Sequence, residues 1–174
     1  MSLPTDSNTL FTSVEDCLSQ LESLLQNLNN DQYGSRLTEA MNSSIGAHVR
    51  HSLDHFSAVL EGVQSSTIDY DARERELKLE TCVEAAQSKA ISIKRNFDRL
   101  DTGLVDSTIE VRSRVNGENS PSVNSTVGRE MMFAVIHAVH HNALISFILN
   151  LHNIPLPEGF GIAPSTIAHL RNQT

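Results

Sequence analysis

The chain has 174 residues, and its 13 Lys and Arg residues against 21 Asp and Glu residues give it a formal charge of −8 at pH 7. An acidic surface repels phosphate backbones and anionic lipid headgroups, so the composition argues against nucleic-acid and membrane partners. A chain of this length buries enough apolar surface to fold without a disulfide or a structural metal, and we predict a single domain spanning residues 1–174.

Cysteine usage and the apolar segments both favour a cytoplasmic location. Cys17 and Cys82 lack the C-x-x-C spacing of a zinc or redox site, which indicates reduced and mostly buried thiols. Residues 1–6 show no secretory signal. The apolar stretch at residues 131–151 is interrupted by histidine, asparagine and serine residues, which are costly in hydrocarbon, so it predicts a buried helix rather than a membrane span.

Three helices are predicted in the first hundred residues, because apolar side chains recur there at the three-four spacing of a helix with one wet face. The second of them follows a capping stretch at residues 42–44. Asp71, with Glu74 three residues later, resembles a capping box and marks the start of the third. The predicted helices cover about residues 10–29, 45–62 and 71–100.

The rest of the chain changes period and then returns to helix. Apolar and charged side chains alternate in residues 108–115, and Asn116-Gly117 is a hairpin-turn dipeptide, so this strand is predicted to pair with residues near 122–125. Residues 127–152 are apolar almost all round, as in a central helix or one at a dimer contact, and residues 164–170 predict a short last helix. Together these elements predict an all-α fold, an up-down four-helix bundle with a small β-hairpin inserted before the last bundle helix.

Histidines are unusually frequent, with eight in the chain and six of them on two predicted helices. His137 and His141 have i, i+4 spacing, which stacks two imidazoles on one helical face about one turn apart. Two imidazoles fixed on one helix suit zinc or a neighbouring transition metal, which binds imidazole nitrogen at about 2.0–2.1 Å. The six are His48, His51 and His55 on the second predicted helix and His137, His140 and His141 on the fourth.

Periodicity leaves open which histidine of the second helix is the third ligand, since all three share a broad face beside the apolar stripe. His51 lies farthest from the centre of that stripe, which favours an open cleft between the two helices over a deeply buried site. The alternative is a set of half-buried imidazoles bonded to water or to backbone carbonyls. Against it, a buried imidazole without a partner costs about 1–3 kcal/mol.

Two segments resemble motifs of the DinB-like superfamily. Residues 44–54, Ser-Ile-Gly-Ala-His-Val-Arg-His-Ser-Leu-Asp, are similar to a helix in which a Ser or Thr starts the helix and a histidine seven residues later binds metal. Residues 128–141 resemble the family's last bundle helix, where an H-x-x-x-H pair completes a three-histidine site. Residues 70–75 and 157–166 also resemble segments of some members, so the likeness extends over about residues 10–170.

The resemblance implies a metal site and a range of activities. Its ligands would be His51, His137 and His141, and they would hold a divalent transition metal, with zinc and nickel as the first candidates. The other three helix histidines would make no contact with the metal or would hydrogen-bond to its ligands. Three protein ligands leave a position for water or substrate, as in catalytic zinc sites. Because characterised members use a low-molecular-weight thiol such as bacillithiol, mycothiol or glutathione, the resemblance implies a metal-dependent S-transferase or a hydrolase acting on a small molecule.

A non-catalytic, stress-related bundle that binds metal or a small ligand is the alternative function. In either case we expect a homodimer, because a helix that is apolar almost all round would otherwise leave an apolar patch in water. The resemblance implies the same assembly.

Four charged residues near these motifs each have two interpretations. Glu130 lies seven residues before His137. In the functional interpretation it is a general base, a hydrogen-bond partner of a metal ligand or an extra ligand, and in the other it is an ordinary carboxylate stabilised by the helix dipole. Arg73 and Arg75 hold carboxylates of an anionic substrate or thiol cofactor, or else pair with nearby glutamates. Asp54 orients a histidine, or else lies on a solvated face.

Overall fold

The computed structural model of the chain describes residues 6–37, 41–72 and 76–171. Most of them are helical, and four helices are long enough to form a bundle. The long helices are α1 (Asp6–Leu25), α3 (Ile45–Ser65), α5 (Val83–Phe97) and α6 (Val127–Leu151). The shorter helices are α2 (Asn30–Gly34), α4 (Lys78–Thr81) and α7 (Pro164–Arg171), and a 3-10 helix covers Thr102–Asp106.

The four long helices enclose one hydrophobic core. Helix α3 packs against α5 and α6, and α1 packs against the same two helices from the other side. Each helix contributes large side chains that are fully buried, among them Leu21, Phe56 and Met131. Burial of such apolar side chains is the dominant favourable contribution to folding, so the bundle follows from the three-four spacing of the sequence. The predicted all-α bundle is confirmed.

A three-stranded sheet lies beside the bundle. Strand β4 (Thr108–Arg112) pairs antiparallel with β5 (Ser122–Thr126), which confirms the hairpin before the last long helix. The connection between them is longer than a tight turn, because the side chain of Asn116 accepts hydrogen bonds from two backbone amides inside the loop. Strand β3 (Thr67–Asp69) adds to β4 in parallel and was not predicted. A separate short pair joins β1 (Arg36–Leu37) to β2 (Met41–Ser44).

The end of the first predicted helix and the start of the third are wrong, and in both places a side chain accepts a hydrogen bond from a nearby backbone amide. The first helix ends at Leu25 rather than near residue 29, because Asn29 instead caps α2 in a reciprocal pair with Gln32. Asp71 does not begin a helix, since its backbone amide donates to the Asp69 side chain in a turn. The predicted third helix is instead divided into α4 and α5 at Cys82, whose backbone is extended. Its other capping residue, Glu74, lies outside the described residues.

Both cysteines are free thiols. Cys17 is buried in the core, and this burial raises the pKa of its thiol to about 12. Cys82 is half-buried at the start of α5 and donates to the Glu84 carboxylate.

Helix α6 is the one helix among the described residues that is long and apolar enough to cross a membrane, judged by length and composition alone. In the bundle it packs along α3 and α1. Its outward face nevertheless exposes large apolar side chains, with Ile136 62% exposed and Phe147 49% exposed. The helix therefore has one face in the core and one apolar face that is exposed among the residues the structure describes.

Gly46 allows the first turn of α3 to approach α4 closely. A Cβ at this position would overlap the carbonyl oxygen of Glu80 and lie 2.8 Å from Cε1 of Tyr33, which is fully buried. We expect Gly46→Ala to lower the free energy of unfolding by about 2–3 kcal/mol in a urea titration, because backbone must move to admit the methyl group. Gly117→Ala is the control, since its Cβ would meet nothing within 4 Å. Equal stabilities of the two variants would contradict the close approach.

Candidate metal centre

Two capped helices bring the predicted histidines together. The Ser44 side chain accepts a hydrogen bond from the amide of Ala47 and begins α3, as the sequence predicts. Thr126 does the same for Arg129 and begins α6. Because α3 and α6 pack side by side, histidines on their facing sides converge about two turns into α3.

His51, His55 and His137 form a group that could hold a metal ion. One ring nitrogen from each lies within 4.8 Å of the others. Nε2 of His51 is 3.0 Å from Nε2 of His137, and the rings of His55 and His137 have centroids 4.0 Å apart. His55 is buried, whereas the other two are partly exposed, so the group opens to solvent on one side. Imidazole nitrogens are suitable ligands for zinc, nickel, copper and iron.

The rings of the three ligands implied by the family resemblance lie close together, although the nitrogens that converge are those of His51, His55 and His137. His51 and His137 are in direct contact, and the ring of His141 has its centroid 4.7 Å from that of His51 and 4.6 Å from that of His137. His55, which the resemblance leaves among the spectators, is the additional neighbour. Its sequence signal is the i, i+4 spacing from His51, identical to that between His137 and His141. Two histidines, His55 and His141, therefore flank the central pair.

The remaining two helix histidines surround His141. Nδ1 of His48 lies 2.8 Å from Nδ1 of His141. His140 is exposed and presents its ring edge to His141, with centroids 5.4 Å apart. Burial, followed by the neighbouring histidines, lowers the pKa of His141 to about 3, and burial together with His140 lowers that of His48. Both rings are therefore neutral at pH 7, which is the form that binds a metal.

Aromatic rings form the inner wall of the cluster. The ring of Tyr70 packs edge-on against His55 with centroids 4.9 Å apart, and Phe133 packs against both Tyr70 and His137. Tyr70 follows β3 directly, and its backbone amide donates to the carbonyl of Arg112 in β4. The strand that the sequence did not predict is therefore the element that positions this wall.

Glu130 lies behind Tyr70 and is fully buried. Its carboxylate accepts hydrogen bonds from the Tyr70 hydroxyl at 2.7 Å and the Ser125 hydroxyl at 2.6 Å, and from the Arg129 guanidinium at 2.8 Å. A carboxylate with three donors is a stable acceptor rather than an ordinary exposed residue of a first helical turn. It connects the start of α6 to the aromatic wall.

The structure describes the contacts of Asp54 but not those of Arg73 and Arg75. Asp54 is buried rather than solvated, and it binds the Arg50 guanidinium at 2.8 Å. Arg50 also contacts Glu80 at 2.8 Å, so this network ties α3 to α4. Arg73 and Arg75 lie outside the described residues, and their expected contacts with an anionic substrate or cofactor stay a prediction.

Comparisons with known proteins agree with this architecture. No family model matches the sequence. The structure is similar to that of a DinB-like protein, YjoA, from Bacillus subtilis, with a TM-score of 0.58 and 16% sequence identity over 86% of this chain and 95% of that chain. The sequence is also 29% identical over 110 residues to FK506-binding protein 5 of Rhizopus delemar. That match covers 62% of this chain and 29% of the fungal protein, so the chain spans under a third of its length. From its bundle, its inserted hairpin and this structural likeness, the chain has the DinB-like fold.

Proposed function

We propose that the chain is a cytoplasmic metal-dependent enzyme that acts on a small molecule. In this proposal His51 and His137, with a third imidazole from His55 or His141, hold one divalent transition-metal ion. The observation that carries it is the convergence of imidazoles from two facing helices, with ring nitrogens of His51, His55 and His137 within 4.8 Å of one another. Zinc and nickel are the first candidates for the ion, because both accept imidazole nitrogen.

The donor set supports a catalytic rather than a structural site. A structural zinc ion has four protein ligands, whereas a three-histidine set leaves a position open to water or substrate. When bound, such an ion lowers the pKa of a coordinated water molecule or thiol, so that it reacts as hydroxide or thiolate at neutral pH. The partial exposure of His51 and His137 gives a small molecule access to that side.

The chain's own residues supply the walls of this site. Tyr70 and Phe133 cover the inner side of His55 and His137 and keep water from reaching them there. Ring contacts with these two aromatic residues also restrict the rotation of the imidazoles, which maintains a fixed ligand geometry. A low-molecular-weight thiol as co-substrate would make the reaction an S-transfer, and water as co-substrate would make it a hydrolysis.

An activity assay separates these reactions from simple binding. Metal-loaded protein would be incubated with electrophiles and each of bacillithiol, mycothiol and glutathione in turn, and with a panel of esters and amides. We expect consumption of one thiol, or hydrolysis of one ester or amide, that His137→Ala abolishes. Metal-loaded protein that consumes no thiol and leaves the panel intact would instead support a non-catalytic bundle that binds metal or a small ligand.

Metal occupancy should depend on pH, because neutral imidazole binds a metal and imidazolium does not. We expect full occupancy at about pH 7.5 and progressive release as the pH falls below about 6.5, the usual pKa of histidine. Metal analysis after equilibrium dialysis at a series of pH values measures this release. Full occupancy well below about pH 5 would argue for carboxylate ligands instead.

We also propose that the outward face of α6 contacts a second copy of the chain. Beyond Arg129, the exposed positions of α6 recur every three or four residues as far as Asn150 and carry no formal charge, which in a chain of charge −8 is where two copies approach with least repulsion. The exposed positions after Arg129 are Met132, Ile136, His140, Ala143, Phe147, Asn150 and Leu151. We expect a dimer by light scattering at micromolar concentration and a monomer for Ile136→Glu. A monomeric parent protein would refute the proposal.

A further inference from the structure

His48 and His141 form a pair beside the three-histidine group. Each belongs to one of the two helices that carry that group, with His48 three residues before His51 and His141 four residues after His137. Their Nδ1 atoms are 2.8 Å apart, which is hydrogen-bonding distance. His48 is 8% exposed, so the contact lies inside the protein rather than in solvent.

The ring of His141 lies beside His51 at the same centroid distance as the ring of His55. Its centroid lies 4.7 Å from that of His51, equal to the 4.7 Å between His51 and His55. One of its nitrogens, Nδ1, is occupied by His48. The nitrogen left for a metal ion is therefore Nε2, across the ring from His48.

The position of one proton decides whether that nitrogen can bind a metal. Two Nδ1 atoms at 2.8 Å share one hydrogen, so one ring donates and the other accepts. If His48 donates, the hydrogen of neutral His141 is on Nε2 and blocks it. If His141 donates from Nδ1, its Nε2 carries a lone pair and can ligate.

We propose that His48 is a positioning residue, which accepts a hydrogen bond from Nδ1–H of His141 and so presents Nε2 of His141 to the ion that His51 and His137 hold. This inference rests on the proposed metal site and assigns its third imidazole to His141. Histidine ligands generally donate their second ring N–H to a fixed acceptor, and loss of that acceptor weakens metal binding. His48 is buried and lies on the same helix as His51, so it holds His141 in a fixed relation to that ligand.

Two variants of similar size separate hydrogen bonding from packing. In His48→Asn, the side-chain oxygen occupies the position of Nδ1 and accepts the same hydrogen bond, whereas His48→Leu fills the space with no acceptor. Zinc affinity of the full chain would be measured by competition with a chromophoric chelator. We expect His48→Leu to bind about 10–100-fold more weakly than the parent chain, and His48→Asn to bind within about threefold of it.

The tautomer of His141 can be observed directly in the parent chain, which keeps the test valid if His48→Leu fails to fold. Long-range 1H–15N correlation spectra of zinc-loaded protein should show the hydrogen of His141 on Nδ1 and a bare Nδ1 on His48. A hydrogen on Nε2 of His141, or equal zinc affinities for the two variants, would overturn the inference. A parent chain that binds no zinc would overturn the proposed metal site itself, whereas tight zinc binding unchanged by His48→Leu would overturn only the role of His48.

Discussion

Replacing His137 by alanine is expected to weaken zinc binding by at least about 100-fold. The free energy of zinc binding to small structural sites is about 10–16 kcal/mol, which divided over four ligands is about 2.5–4 kcal/mol for each, or roughly two to three orders of magnitude in affinity. His137 contacts His51 directly and packs against both His55 and His141, so it lies where the histidines of α3 and α6 meet. Isothermal titration of zinc into protein purified without a histidine tag measures the loss.

His140→Ala is the matched control for this variant. His140 lies on the same helix, three residues from His137, but it is exposed and is not one of the three histidines whose ring nitrogens converge. We expect its removal to leave zinc affinity within about threefold of the parent value, since it supplies no ligand. If the two alanine variants bound zinc equally well, the ion would not be held where α3 faces α6.

Replacing Glu130 by leucine is expected to lower the free energy of unfolding by about 3–5 kcal/mol, the range for breaking a buried charged network. The substitution leaves the hydroxyls of Tyr70 and Ser125 without the acceptor they share, in a region where Glu130 itself is fully buried. Urea titration followed by circular dichroism measures the loss. Glu130→Gln keeps the size and one acceptor oxygen, so a loss nearer 1 kcal/mol is expected for it.

A double-mutant cycle with Tyr70→Phe tests the contact behind this expectation. Both Glu130→Leu and Tyr70→Phe remove the same 2.7 Å hydrogen bond, so their effects on stability should not add. We expect a coupling energy of about 1–3 kcal/mol between the two sites. Strict additivity would show that the buried carboxylate stabilises the protein without Tyr70, and that the aromatic wall has another support.

Local signals in the sequence predict most of the bundle. Apolar spacing and the capping residues Ser44 and Thr126 define where α3 and α6 begin, because both signals act within a few residues of chain. The alternation at residues 108–115 likewise predicts β4. The predicted end of the first helix fails because Asn29 caps α2 instead of leaving the first helix to continue, and the predicted start of the third fails because Asp71 lies in a turn.

Long-range contacts account for what the sequence does not show. Pairing of β3 with β4 joins residues about forty positions apart in the sequence. A strand of three residues is too short for its alternation of apolar and polar side chains to predict this pairing. The hydrogen bond from Tyr70 to Glu130 involves the same pairing, since Tyr70 follows β3 directly and its amide donates to Arg112 in β4. Periodicity also places His48, His51 and His55 on one face of α3, and only the rotation of α3 against α6 sets their distances to His137.

The most direct test of the metal site is a crystal structure of protein purified without a histidine tag and loaded with zinc or nickel, with diffraction recorded on both sides of the absorption edge of the metal. The account predicts one anomalous peak between α3 and α6, about 2.0–2.2 Å from a ring nitrogen of His51 and of His137. A loaded protein with no such peak, or with its metal bound only at surface residues, would contradict it.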